Sequence, residues 1–288
     1  MTERVGELAG TIPPTSFLAV SILSVQLGSA IAKGLFHALG PGGAVFLRIA
    51  LGALVLLAVQ RPGLRGYSPA KYATAALFGL VIAVMNTAFY ASIARIPLGI
   101  AVTLEFIGPL GVAVAGSRRH LDVVWGALAA AGILLLAPTG HTSIDPLGVA
   151  LALLAGGCWA GYILLSVRVG RAFSGGTGLS IAMAVAALVV LPFGVAETGT
   201  LLANPALLVV GAGVALLSTV IPFSLEYAAL KRLPARQFGV LMSGEPAVAA
   251  LVGLVVLGQA LGSRGLVALA CVSVAMAGSS RFTGPSHA

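Results

Sequence analysis

The stretch FYASIARIPLGIAVTLEFIGPLGVA (89–113) contains a long apolar run in which the one ionisable residue is Glu105. The run continues to residue 116 and approaches the 20 or so apolar residues that a helix needs to cross a bilayer. A carboxylate within such a helix is costly unless it faces other helices or a wet cavity. Pro109 follows four residues later and lacks the backbone N–H that would bond the Glu105 carbonyl. The stretch therefore predicts a transmembrane helix with an interior acid and a freed carbonyl beside it.

The whole chain has the composition of a membrane protein. Hydrophobic residues make up 59% of the 288 residues and charged residues 8%, whereas soluble proteins carry about 25% charged residues. The net charge of +8 is scattered, and without a dense basic patch it does not indicate a nucleic-acid partner. Cys158 and Cys271 both lie in apolar segments and predict neither a metal site nor a disulfide framework. We therefore expect most of the protein surface to contact a lipid bilayer.

Ten apolar segments are long enough to span a bilayer, and the links between them are short. We expect tails at 1–16 and 282–288 and no soluble domain. The sequence thus predicts an all-α membrane protein with ten transmembrane helices. The predicted spans are 17–37, 44–60, 71–94, 98–116, 121–138, 146–168, 177–197, 205–229, 235–257 and 263–281.

Lysines and arginines in the links set the expected orientation, because they concentrate on the cytoplasmic side. With both termini cytoplasmic, the outer links carry only Arg95 and Arg264, and Lys33 and Arg48 fall within spans. The inner side then holds the other twelve of the 16 basic residues, which are Arg4, Arg61, Arg65, Lys71, Arg118, Arg119, Arg168, Arg171, Lys231, Arg232, Arg236 and Arg281.

The chain also repeats itself. FYASIARIP (89–97) resembles EYAALKRLP (226–234), and the register pairs Tyr90 with Tyr227, Arg95 with Arg232, Pro97 with Pro234 and Pro109 with Pro246. Five spans separate the copies, and because five is odd the second copy must be inverted. The sequence therefore predicts two inverted five-helix repeats, 17–138 and 146–281. This architecture is typical of secondary transporters, which bind substrate near the midplane between the repeats.

Five charged residues lie more than two residues from the ends of the predicted spans, and together they are too costly to face lipid. Counting along the spans at about 1.5 Å per residue places Glu245 near the midplane and Glu105 roughly 10 Å from the outer end. Lys33 and Arg48 lie in the outer third. Glu226 lies near the inner end, where we expect it to snorkel or to pair with Lys231 or Arg232.

Three prolines are predicted to free backbone carbonyls within spans. Pro109 frees that of Glu105, Pro246 that of Met242 and Pro222 that of Ser218. Such carbonyls are tolerated where they line a cavity, and one beside a carboxylate would suit an ammonium group. The alternative is a plain kink that helps helices pack. The small residues Gly108 and Gly111 are expected to leave room beside the Glu105 carboxylate.

Further polar residues within the spans could line a cavity, with ordinary packing as the alternative for each. Trp159 and Tyr162 share one helix face because they are three residues apart. Gly157 and Gly161 have GxxxG spacing, which favours close helix packing. The candidates for the cavity lining are Gln26, Asn86, Tyr90, Trp159, Tyr162 and Ser243.

Seven stretches of the chain resemble the EamA-type ten-helix proteins of the drug/metabolite transporter superfamily, and most closely their threonine/homoserine exporter branch. One departure is visible in GLVVLGQALG, where Gln259 replaces the glutamate usual in the family. The stretches are QLGSAIAKGLF (26–36), LRIALGALVLLA (47–58), FYASIARIPLGIAVTLEFIGPLGVA (89–113), SRRHLDVVW (117–125), CWAGYIL (158–164), LSTVIPFSLE (217–226) and LPARQFGVLMSGEPA (233–247).

The resemblance implies export of small amino acids such as threonine and homoserine across the bacterial cytoplasmic membrane. Glu105 or Glu245 could then receive the substrate ammonium, and Lys33 or Arg48 its carboxylate. Glu245, or failing that Glu105, could exchange a proton and make the transporter an antiporter driven by the proton gradient, since buried carboxyl groups can titrate in an accessible range.

The sequence is also compatible with two other functions. They are transport of another small metabolite or drug, and a membrane scaffold that transports nothing. No enzyme motif, ATP-binding loop, metal spacing or cofactor fingerprint is present in the sequence. The sequence leaves open the exact substrate, the coupling ion, the direction of transport and the oligomeric state. A homodimer is compatible with the sequence.

Overall fold

The computed structural model describes residues 13–63, 66–96, 101, 104–115, 120–136, 145–242, 244–257, 263, 266–267, 270–271 and 273–275. Within this part of the chain the regular structure is helical and contains no strand, so the predicted all-α class is confirmed. Among the described residues, five helical segments are long and apolar enough to cross a membrane: Ala38–Gln60, Pro69–Ile93, Pro146–Ala172, Thr177–Ala196 and Ala206–Leu230.

We number the described helices in chain order. They are α1 (Pro14–Gln60), α2 (Pro69–Ile93), α3 (Ile107–Ala115), α4 (His120–Leu136), α5 (Pro146–Ala172), α6 (Thr177–Ala196), α7 (Thr198–Ala203), α8 (Ala206–Ala215), α9 (Ile221–Leu230), α10 (Ala235–Met242) and α11 (Glu245–Leu257). A π-helical segment, Leu216–Val220, joins α8 to α9.

Helix α1 contains the first two predicted spans and bends sharply between them. At Gly40 the backbone has φ 66° and ψ −178°, a conformation that side chains with a Cβ rarely adopt. Pro41 follows at once and begins the second half of the helix. The link predicted between these spans is therefore a kink, which separates an N-terminal arm (14–39) from a C-terminal arm (41–60).

Two predicted spans are interrupted near their prolines. The fourth has a turn at Phe106 immediately before α3, and the ninth has a turn at Gly244 between α10 and α11. Pro109 and Pro246 follow these turns and cannot donate the N–H of a continuous helix. The two interruptions fall within one residue of each other in the register of the repeat. Helix α3 also packs against α10, so the two interrupted spans meet.

The eighth predicted span is continuous but changes its winding. The segment Leu216–Val220 is π-helical and precedes Pro222. Because Pro222 has no N–H, the Ser218 carbonyl loses its regular partner, and a π turn accommodates such a change locally. Helices α8 and α9 and the π segment all pack against α1.

The core lies where α2 packs against α5 and α6, with α1 against α6. Large side chains such as Phe78, Ile82, Tyr162 and Met183 are fully buried there. Other large apolar side chains face outward, which suits helices surrounded by lipid. Examples of these exposed residues are Leu134, Leu188, Val209 and Val255.

Candidate functional site

The C-terminal arm of α1 buries the guanidinium of Arg48 among neutral groups. Its Nε donates to Thr219 Oγ1 at 2.9 Å and its Nη1 to the Tyr90 hydroxyl at 3.3 Å. The guanidinium carbon also lies 5.8 Å from the centre of the Tyr90 ring. No carboxylate forms an ion pair with Arg48 in the described part of the chain. Because the described hydrogen bonds of Arg48 go only to hydroxyl groups, its guanidinium can still bind an anion at close range.

Glu105 lies immediately before the turn at Phe106 and is 9% exposed. Within the described residues its carboxylate accepts no hydrogen bond and forms no ion pair. Trp159 packs against Phe106, with ring centres 4.7 Å apart, and thereby closes the apolar side of the interruption. Glu105 is thus a buried carboxylate whose oxygens are not occupied by described donors.

Glu245 begins α11 directly after the turn at Gly244, and its side chain is half-buried. Gln26 Nε2, on the N-terminal arm of α1, donates to Glu245 Oε1 at 2.9 Å. The structure therefore joins two residues from different predicted repeats, both of which the sequence analysis proposed as cavity-lining.

Glu226 is buried, and the prediction that it snorkels or pairs with a basic residue is wrong. Ser21 Oγ donates to its Oε1 at 2.8 Å, and the Tyr162 hydroxyl donates to its Oε2 at 2.9 Å. Lys231 instead donates to the Gly175 carbonyl at 2.8 Å. The span count gave only the depth of Glu226. It could not show the hydroxyl groups that hold its carboxylate inside the bundle, and so a basic partner was predicted instead.

The three glutamates and Arg48 form one electrostatic cluster. The charge of Arg48 interacts with all three carboxyl groups, and Glu245 also interacts with Glu105 and Glu226. One guanidinium cannot neutralise three carboxylates in a medium of low polarity, and like charges there repel. The cluster can therefore relieve this repulsion by accepting a cation or a proton.

The other predicted site residues are placed as follows. Tyr90 binds Arg48, Tyr162 binds Glu226, and Trp159 packs beside the turn at Phe106. Asn86 is buried and donates to the Ile82 carbonyl of its own helix at 2.8 Å, so its described hydrogen bond does not reach the cluster. Ser243 and the side chains of Lys33 and Pro246 lie outside the described residues.

Glycines bring the interrupted fourth span against α5. A Cβ added at Gly108 would overlap the Gly156 carbonyl, and one added at Gly156 would lie 2.6 Å from the Glu105 carbonyl oxygen. The carbonyl freed by Pro109 thus faces a tight helix contact, and Gly108 does not leave open room beside the carboxylate. The expected ammonium contact with this carbonyl therefore finds no support in the structure, whereas a Cβ at Gly111 would meet no described atom within 4 Å.

The predicted close packing at Gly157 and Gly161 is not found among the described residues. A Cβ at Gly157 would meet no described atom within 4 Å, and one at Gly161 would make an ordinary 3.6 Å contact with Val81. The close approach uses Gly156, one residue from the predicted face of α5. The GxxxG spacing therefore indicated the correct helix, α5, but not the glycine at which the helices approach closely.

Small hydroxyl residues contribute to the site and were missed in the sequence. Ser21 binds Glu226, Thr219 binds Arg48, and Ser24 Oγ donates to the Leu217 carbonyl at 2.6 Å. Thr219 and Leu217 both belong to the π segment. The available signals were the one-turn spacing of Ser21 and Ser24, which puts them on one helix face, and the position of Thr219 just before Pro222.

Sequence comparisons relate the chain to known transporters. The EamA-like transporter family matches residues 146–281. The threonine/homoserine exporter RhtA of Escherichia coli is 43% identical over 268 residues, which cover 92% of this chain and 90% of that protein. The exporter of the same name from Salmonella typhimurium is 42% identical over the same lengths.

A comparison of folds finds a solved structure with a similar fold. One solved crystal structure superimposes with a TM-score of 0.71 and covers 93% of this chain and 97% of its own. Its sequence is 20% identical, so this likeness concerns the fold alone.

Proposed function

The chain belongs to the EamA-like transporters of the drug/metabolite transporter superfamily, in their threonine/homoserine exporter branch, and we propose that it exports threonine, homoserine and similarly small amino acids. It is a multi-pass membrane protein and a transporter, not an enzyme. We place it in the bacterial cytoplasmic membrane. The relatives that match over 92% of the chain support this substrate class.

One observation supports this function above the others. The site buries a guanidinium with neutral partners, Arg48, and a carboxylate with no described hydrogen-bond donor, Glu105. A zwitterionic amino acid carries the two complementary charges. We assign the substrate carboxylate to Arg48, because a guanidinium binds a carboxylate through two parallel N–H groups. We assign the substrate ammonium to Glu105, with Glu245 nearby as a second acid.

The proposed substrate class can be tested with the purified protein in inside-out proteoliposomes. Labelled threonine and homoserine should exchange across the membrane, and bulky amino acids such as tryptophan should compete poorly. Equal competition by unrelated metabolites that lack the amino or the carboxyl group would contradict amino-acid export.

For the architecture we propose ten spans arranged as two inverted repeats, 17–138 and 146–281. The interruptions at Phe106 and Gly244 support it, because interrupted helices at corresponding positions of two halves are typical of transporters with inverted repeats. Both interruptions lie next to a glutamate of the site. The repeat would then supply one acid from each half.

Links predicted to be cytoplasmic meet at one end of the bundle, which supports the proposed orientation. Tyr67, before α2, lies with its hydroxyl 3.1 Å from Ser174 Oγ, after α5. Lys231, after α9, reaches the Gly175 carbonyl in the same link. Three links therefore share one side, as ten spans with both termini on one side require, and the basic residues of these links favour the cytoplasm as that side.

We predict that a cysteine at Ser68 is protected from an impermeant thiol reagent in intact cells and reacts after permeabilisation. Cys158 and Cys271 would first be replaced by alanine. A cysteine at Thr200, in a link predicted to face outward, should react in intact cells and serves as the matched control. Labelling at position 68 from outside would contradict the orientation.

For energy coupling we propose proton antiport, in which an intramembrane glutamate accepts a proton outside and releases it inside. The crowding of three acids around Arg48 supports this, because protonation relieves their repulsion. Glu245 is our first candidate for the carrier, being near the midplane, and Glu105 the second.

We therefore expect export to rise severalfold when the outside is acidified by one pH unit, and Glu245→Gln or Glu105→Gln to abolish that response. The measurement is uptake into inside-out proteoliposomes, whose lumen corresponds to the outside. Glu197→Gln makes the same chemical change in the link after α6 and should leave the response intact. Normal pH dependence in both site variants would exclude both residues as the carrier.

A further inference from the structure

Glu226 is held differently from the other two acids of the cluster. Both of its oxygens accept hydroxyl groups, from Ser21 on the N-terminal arm of α1 and from Tyr162 on α5. An ionised carboxylate only accepts hydrogen bonds. The observed pair of donors therefore fits the ionised acid, and it connects three helices through one carboxylate.

A neighbouring group could stabilise the protonated acid as well. Ser166 lies one turn beyond Tyr162 on α5, within hydrogen-bonding range of its hydroxyl, and Ser166 Oγ is fully buried with no other hydrogen-bond partner among the described residues. Buried hydroxyls without a partner are uncommon in folded proteins. If Glu226 gains a proton, its new O–H can donate to the Tyr162 oxygen. The Tyr162 O–H can then turn from Glu226 to Ser166 Oγ.

We infer that Glu226, Tyr162 and Ser166 form a proton-binding network with two hydrogen-bond arrangements, in which Glu226 is a further proton site of the transporter. In the ionised arrangement Tyr162 donates to Glu226. In the protonated arrangement Glu226 donates to Tyr162, and Tyr162 donates to Ser166. One proton enters on the carboxylate, no covalent bond other than its O–H bond changes, the hydrogen bond between Tyr162 and Glu226 reverses, and Tyr162 donates to Ser166 instead.

The surroundings of Glu226 determine what its proton does. The charged or titratable groups that face it are Arg48 from the C-terminal arm of α1, Tyr162 from α5 and Glu245 from α11. Substrate bound at Arg48 would offset part of the guanidinium charge, and so would favour proton uptake at Glu226. This role rests on the proposed amino-acid export and its coupling to protons.

Two conservative variants should shift the pH profile of export in opposite directions. Tyr162→Phe removes a donor to the ionised carboxylate, so the pH of half-maximal rate should rise by about one unit. Ser166→Ala removes the acceptor that stabilises the protonated arrangement, so the same midpoint should fall by about half a unit. Ser180→Ala removes a fully buried hydroxyl on α6 that has no hydrogen-bond partner among the described residues, and should leave the midpoint in place.

A third variant tests the coupling itself in reconstituted full-length protein. Glu226→Gln should reduce accumulation driven by a pH gradient at least about tenfold more than it reduces threonine exchange without a gradient. If this variant does not fold, the two hydroxyl variants still decide the question. A wild-type protein whose export ignores pH would overturn both the coupling and this network. Export that depends on pH in the wild type, with unmoved midpoints in Tyr162→Phe and Ser166→Ala, would overturn the network alone.

Discussion

Replacing Arg48 by glutamine is expected to weaken threonine binding by at least about thirtyfold. The removal of one partner from a buried, hydrogen-bonded charge pair costs about 2–5 kcal/mol, and thirtyfold corresponds to the lower end of that range. Glutamine can still donate to Thr219, so the local packing has a substitute. The dissociation constant can be measured by titration calorimetry on the purified protein, alongside its melting temperature.

Comparison of ligands makes the Arg48 test specific. Threoninamide lacks the carboxylate, so it should bind the wild type weakly and should not distinguish the wild type from Arg48→Gln. Arg48→Lys retains the charge but loses the two-pronged geometry, and an intermediate affinity is expected. Arg95→Gln, at an exposed arginine 3.9 Å from Asp145, is the matched control. Unchanged threonine affinity in folded Arg48→Gln would contradict the assignment.

Much of the fold could be predicted because lipid restricts the choices. Every backbone N–H and C=O in a bilayer must be hydrogen-bonded within the protein. A long apolar run that crosses a bilayer therefore predicts a helix. Helix α2 and helix α6 accordingly end within a few residues of their predicted limits. The conformation at Gly40 was harder to predict than these helix limits, because a glycine before a proline is equally typical of a loop and of a sharp bend in one helix.

The site was predictable only in part, since it depends on contacts between distant segments. Glu105 and Arg48 stood out because a charge in an apolar run is costly wherever the run lies. The partners of Glu226 were predicted wrongly because its carboxylate is held by Ser21 and Tyr162, which are 205 and 64 residues away in the chain. Serines are common within transmembrane helices, and nothing in the sequence alone separates one that holds a carboxylate from one that bonds its own backbone.

Replacing Glu105 by glutamine is expected to weaken threonine binding at least tenfold, about 1.4 kcal/mol, while folded yield and melting temperature stay close to those of the wild type. The described part of the chain contains no hydrogen bond or ion pair of this carboxylate that the amide would break. Its charge is instead available to a substrate ammonium that has lost its water, which would otherwise cost several kcal/mol. The control ligand is 3-hydroxybutyrate, which lacks the amino group and should bind both proteins alike.

A structural role for Glu105 would give the opposite result. If it were permanently paired with Lys33 or Arg48, glutamine would leave a buried cation without its partner and destabilise the protein by about 3–5 kcal/mol. Removing the cation as well should then restore stability. The absence of an ion pair between Glu105 and Arg48 in the described structure already argues against one of these partners. Loss of stability with such rescue, together with unchanged threonine affinity, would show that Glu105 serves the fold and that the ammonium binds elsewhere.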